Sequence, residues 1–244
     1  MRVTLIGIDC ATDPNKVGLA LGEFRGGKTR LLGAQLGGRD PSIVQTVAGW
    51  IRGREPVLLA LDAPLGWPAP LGAALVQHVA GGPLRGEPNA LFRRDTDRVV
   101  KARIGRLPLD VGADRIARTA HAALTLLAAL RGVTGQPIPL AWHAEPDAPV
   151  SAIEVYPAGT LQAHGLPASG YKEAERRPVR KAIIAAMAER LHLPADTAVL
   201  AEQADVLDAA LCILAAHDFL CGDVIQPSDL ARARKEGWIW VRGG

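Results

Sequence analysis

Apolar residues run almost unbroken from Val3 to Ile8 and stop at Asp9. An unbroken run of this length is the pattern of a central strand buried on both faces. Residues 17–24 and 30–36 predict two more strands, and Arg25-Gly26-Gly27-Lys28 between them has the chemistry of a hairpin turn. Pro41 and Ser42 open a helix that runs to about Arg52. Residues 56–62 return as a short apolar strand that stops at Asp62. The order is strand, hairpin, helix, strand.

From Ala63 to Val150 the pattern is broken by Pro64, Pro68, Pro70, Pro83, Pro88 and Pro108. One helix stands out at about 113–131, where Ile116, Ala120, Ala123, Leu124, Leu127 and Leu130 keep helical spacing. We read 63–150 as a large helical insertion within one domain spanning 1–244. Residues 151–156 predict a further strand stopped by Pro157, helices follow at about 178–192 and 201–221, and 237–241 reads as a final edge strand. The expected class is α/β, a mixed five-stranded sheet flanked by helices.

Composition narrows the function little. An apolar fraction of 48% supports a sizeable core, and a net charge of +3 argues only weakly for a polyanionic partner. Cys10, Cys212 and Cys221 fit no metal or disulfide spacing, and the six histidines show no zinc spacing. No run approaches ~18 apolar residues, so no membrane span is expected. With no signal-peptide pattern at the start, a reduced, cytoplasmic protein is expected.

The acidic positions change the picture. Asp9 and Asp62 close two strands that, if parallel and adjacent, bring their ends together, where open α/β sheets place their chemistry. Asp205 and Asp208 are spaced i, i+3 on the apolar helix that follows, so one docked helix presents both. Taken singly, each has an ordinary explanation: a helix cap, an arginine partner, a turn at Ala63-Pro64. Together they point to cations, because burying an unpaired charge is costly. Carboxylate oxygens suit Mg²⁺ or Mn²⁺. Two such ions about 4 Å apart would activate a water and stabilise the leaving oxygen of a phosphodiester. Glu154, on the strand 151–156, is a candidate fifth ligand.

Two other signals compete. Residues 22–29 satisfy the phosphate-loop pattern G-x-x-x-x-G-K-[ST], but that mechanism needs a helix after the loop. Gly33, Gly37 and Gly38 make a poor one, so a strand returning from a turn fits better. Arg93, Arg94, Arg98, Lys101, Arg103 and Arg106 form a basic stretch, and Lys172, Arg176, Arg177, Arg180 and Lys181 a second. Either is a phosphate-binding surface or a solvated helix face. Aromatic residues are only 4% of the chain, which leaves a stacking platform for single strands poorly supplied; Trp67 is the one expected near the site.

The strings Gly7-Ile8-Asp9-Cys10-Ala11, Leu61-Asp62-Ala63-Pro64-Leu65-Gly66, Phe92 to Arg98, Ile153 to Ala158, Gly170-Tyr171-Lys172, Asp205 to Ala209 and Glu236 to Trp240 occur in that order. Together they resemble the family catalogued as domain of unknown function 429, described as predicted nucleases of RNase H-like fold. The acidic pattern also resembles that of RuvC-type Holliday-junction resolvases. The resemblance implies an RNase H-like topology, with metal-binding and catalytic roles for Asp9, Asp62, Asp205 and Asp208. The expected activity is a metal-dependent nuclease, with Arg93, Arg94, Asp97 and Lys172 binding the nucleic acid. Two alternatives stand beside it. One is phosphoryl transfer or hydrolysis on a small phosphorylated metabolite or nucleotide. The other is a binding module without catalysis. Oligomeric state is not legible.

Overall fold

In the computed structural model, which describes residues 1–112 and 114–243, β1 (Arg2–Asp9) pairs antiparallel with β2 (Gly18–Arg25), and β2 with β3 (Lys28–Leu36). Gly26 and Gly27 make the turn with φ of 57° and 78°, a left-handed conformation that glycine enters without steric cost. Residues 22–29 are therefore strand, turn, strand. Thr29 lies buried in β3, with no helix after the glycines to cradle a phosphate. A capping box starts α1 (Ile43–Ile51): the Gln45 backbone N–H donates to Ser42 Oγ and Ser42 N–H to Gln45 Oε1. Next, β4 (Val57–Asp62) lies parallel to β1, and β5 (Val150–Val155) parallel to β4.

Three antiparallel strands followed by two parallel ones, in the order β5-β4-β1-β2-β3, are the RNase H-like arrangement. The sheet has six strands rather than the expected five, because β6 (Leu191–His192) pairs with the outer edge of β3. The helix expected over 178–192 is accordingly shorter: α7 (Arg177–Met187) stops, and the unpaired edge of β3 takes up the backbone groups of 191–192. Residues 237–241 form no full strand. Ile239 makes a single bridge to Glu154, with Trp240 N–H donating to the Glu154 carbonyl.

Between β4 and β5 lie α2 (Ala69–Leu75), α3 (Pro88–Phe92), α4 (Asp95–Ile104) and α5 (Asp114–Thr134). Ala113, the expected first residue of the helix at 113–131, is outside the described residues. After β5 come α6 (Pro157–Ala163), α8 (Ala198–Glu202), α9 (Ala204–Cys221) and α10 (Leu230–Glu236). The helix expected from 201 is two helices, because Gln203 is extended, with φ −113° and ψ 108°. No helix among the described residues is long and apolar enough to cross a membrane.

Strand parity decides what meets what, since alternate side chains leave opposite faces of a sheet. Val3 and Leu5 of β1, Leu58 and Ala60 of β4, and Ile153 and Val155 of β5 pack with α9. Ile6, Ile8, Leu59, Leu61 and Ala152 pack on the other side, with α1 and α5. By the same alternation Asp9 and Asp62 fall on the α9 face and Glu154 on the other. The fit of α9 to the sheet is close: a Cβ on Gly7 would lie 2.1 Å from the Ala209 carbonyl oxygen.

Candidate metal centre

Asp9 and Asp62 are direct partners across the parallel β1–β4 ladder. Asp208, fully buried on α9, comes down onto the same point. One carboxylate oxygen from each of the three lies within 4.8 Å of the others. Burial, reinforced by the charges of Asp208 and Asp62, pushes the Asp9 carboxyl well above the ordinary range. Burial and Asp208 push Asp62 up to about 7, with Lys172 opposing. Asp208 too is raised by burial, against the pull of Lys172. Negative charge here exceeds what the surrounding chain neutralises.

The donor set fits a hard divalent cation, which takes carboxylate oxygens. Asp208 Oδ2 is buried, and the Lys172 ammonium lies against it as an ion pair. Asp208 Oδ1 accepts a hydrogen bond of 2.7 Å from the Tyr171 hydroxyl. Burial first, then Asp62 and Asp9, holds the Cys10 and Cys212 thiols well above their usual range.

Asp205 stays outside the three-acid cluster, although its charge raises both Asp9 and Asp208. Three residues of helix rise about 4.5 Å and fall about 60° short of a full turn.

Glu154 lies outside the three-acid cluster. It projects from the opposite face of β5, paired in register with Leu61 while Asp62 pairs with Val155. There it meets Arg94, whose Nη1 donates to Glu154 Oε2 at 2.9 Å and whose Nη2 lies 2.8 Å from Oε1. Glu154 Oε2 also accepts from the Leu65 N–H, fixing the loop that follows Asp62. The same guanidinium donates to both oxygens of Asp97 and to the Glu236 carbonyl. Arg94 and Asp97 are each 1% exposed and mutually satisfied. The phosphate-binding role expected of them is therefore corrected: no donor of Arg94 is left to give. Arg93 pairs with Asp110 at 3.6 Å. Of the four expected substrate-binding residues, Lys172 alone touches the acidic cluster.

Three further residues shape the site. Tyr171 bonds Asp208 directly. Glu236 accepts from the Ala69 and Asp95 N–H groups, tying the start of α2 to the start of α4. Arg180 is buried on α7 without a carboxylate and donates to the carbonyls of Tyr171, Glu173, Ala174 and Ala201. One signal for Arg180 lies in the sequence: it occupies an apolar-stripe position with Ile183, Ile184 and Met187.

No curated protein matches the chain. Among solved structures, T. thermophilus RuvC in complex with Holliday junction substrate is similar at 15% identity and a TM-score of 0.28, over 87% of this chain and 95% of that one. Residues 7–232 match the family described as "Protein of unknown function (DUF429)", and the chain belongs to that family.

Proposed function

We propose that the chain is a divalent-metal-dependent hydrolase that cuts phosphodiester bonds in nucleic acid. The observation that carries this reading is the convergence of Asp9, Asp62 and Asp208, all raised above the ordinary carboxylate range, chiefly by burial. A site with that surplus of charge, at the parallel strand ends of an RNase H-like sheet, suits a cation and the phosphate it would draw in. Bound Mg²⁺ or Mn²⁺ would supply an activated water and stabilise charge on the leaving oxygen. Asp9 and Asp62 orient from strand ends, whose positions the sheet fixes. Asp208 closes the cluster from α9, held by the Tyr171 hydroxyl. Lys172, with its side chain 55% exposed, is placed to meet an incoming phosphate. Asp205, half-buried at the edge, adds negative charge without a ligand position.

The test is cleavage with Mn²⁺ or Mg²⁺ of single-stranded DNA, duplex DNA, RNA, an RNA–DNA hybrid and a four-way junction, comparing wild type with Asp9→Asn and Asp208→Asn. Metal-dependent cutting by wild type, lost in both variants while the fold survives, is expected. Undiminished cutting in both variants would sink the reading.

A second reading is hydrolysis or phosphoryl transfer on a small phosphorylated metabolite. It is favoured by a small cavity of about 110 Å³ beside the site, lined by Asp62, Pro64, Leu109, Glu154 and Tyr156 among others. Saturable turnover of a mononucleotide, with every polymer left intact, would select it.

A further inference from the structure

Three carboxylates meet at this site, and one ammonium meets them. Three negative charges and one positive leave two uncompensated, the charge of a single divalent ion. Resting on the metal-dependent reading above, we infer that Lys172 serves as a built-in cation at Asp208, in the place a second divalent ion would take, so that the site holds one ion on the Asp9–Asp62 side.

The geometry argues that Lys172 is held there by construction. An ordinary surface lysine wanders, because its long stem costs entropy to fix. Here the backbone is clamped on both sides. Arg180 Nη1 donates to the Tyr171 carbonyl at 2.6 Å and to the Glu173 carbonyl at 2.7 Å, the residues immediately before and after Lys172. The same side chain ties the segment to Ala201, just ahead of α9, at 2.7 Å. Arg180 is 3% exposed, and its four hydrogen bonds all go to backbone carbonyls, so its role is to fix this segment.

Asp208 shows the result. Its Oδ1 is taken by the Tyr171 hydroxyl, and its Oδ2 is taken by the Lys172 ammonium. Tyr171 and Lys172 are consecutive, so one clamped dipeptide addresses both oxygens of one carboxylate. Asp9 and Asp62 have no such cationic partner of their own. Asp205, the acid that would balance a second ion, lies outside the cluster. Lys172 thus neutralises the α9 side, and the strand-end carboxylates keep the exchangeable ion.

The test counts ions. Isothermal titration of the metal-free full chain with Mn²⁺ is paired with electron paramagnetic resonance, and only sites lost in Asp9→Asn are scored. Wild type is expected to bind one Mn²⁺ per chain, Lys172→Arg one, and Lys172→Met two, with a spin-coupled signal appearing only in Lys172→Met. Two ions in wild type would overturn the inference while leaving the metal-dependent reading intact, and so would a single ion in Lys172→Met. No bound Mn²⁺ in wild type would overturn both. Should Lys172→Met fail to fold, the wild-type count decides: one sustains the inference and two overturns it.

Discussion

Asp9 and Asp62 stand opposite one another in the β1–β4 ladder, on the face that α9 covers. Two carboxylates so placed resist losing both protons, and Asp62 is pushed to about 7, chiefly by burial. Its unfolded value is 3.8, so between 3.8 and about 7 the folded chain keeps a proton that the unfolded chain has released. That stabilisation is complete below the unfolded value and is lost as pH rises through the folded one. Without metal, the thermal midpoint should therefore fall from pH 5 to pH 8. Asp62→Asn should flatten the slope, and excess Mn²⁺ should recover stability at the alkaline end, where ions replace protons. Scanning calorimetry in chelator, then in Mn²⁺, would check it; a metal-free midpoint that climbs with pH would contradict it.

Gly7 and Gly18 let α9 approach the sheet. A Cβ on Gly7 would meet the Ala209 carbonyl oxygen at 2.1 Å, and one on Gly18 the Asp205 carbonyl oxygen at 1.9 Å. Overpacking costs typically ~1–3 kcal/mol, and more when backbone must move. Gly7→Ala and Gly18→Ala should each cost about 3 kcal/mol by that rule, and should weaken Mn²⁺ binding because Asp208 moves with the helix. Gly33→Ala, with open space around it, is the control. Chemical denaturation together with Mn²⁺ titration would separate the three.

Arg94 is a buried cation between two buried acids, Glu154 and Asp97. Removing one partner of such a pair costs on the order of 3–5 kcal/mol, because the remaining charges are stranded. Arg94→Met should lose that much stability. The double variant Arg94→Met/Glu154→Gln should be less damaged than the sum of its parts, which a double-mutant cycle in urea measures.

Tyr171→Phe removes the donor to a buried carboxylate oxygen while keeping the ring. An acceptor left unsatisfied in the interior costs roughly 1–3 kcal/mol. The loss should be read in the metal-free protein, and should shrink once Mn²⁺ shares the burden of the Asp208 charge. Equal losses with and without metal would show that Tyr171 acts on the fold alone.

The strands were legible in the sequence because each is a dense apolar run, and Asp9 and Asp62 because they end two of them. Asp208 was legible as an acid in an otherwise apolar helix. The candidates that the fold places apart from the three-acid cluster depended on register and side-chain direction, which one sequence does not carry. Glu154 sits one position off the parity that would turn it toward Asp62. Arg94 lay in a run of basic residues that gave no hint of burial, and only the fold supplies its partners, one across the β5 edge. Asp205 was grouped with Asp208 on helical spacing alone, whereas α9 delivers only one of them to the cluster.

The contact between β1 and α9 joins a strand to a helix that begins nearly two hundred residues later in the sequence. During synthesis, β1 to β4 emerge long before α9, with Leu5, Ala20, Leu58 and Ala60 still lacking their cover. A ribosome-bound chain that has not yet reached Ala204 is thus a sticky, half-covered sheet in need of shielding, since exposed apolar surface invites aggregation. Limited proteolysis of arrested chains should find cleavage sites that vanish once α9 is out. Nor can such a chain cut anything, because Asp208 has not arrived: on the proposed reading, the enzyme cannot act on nucleic acid until α9 has been translated.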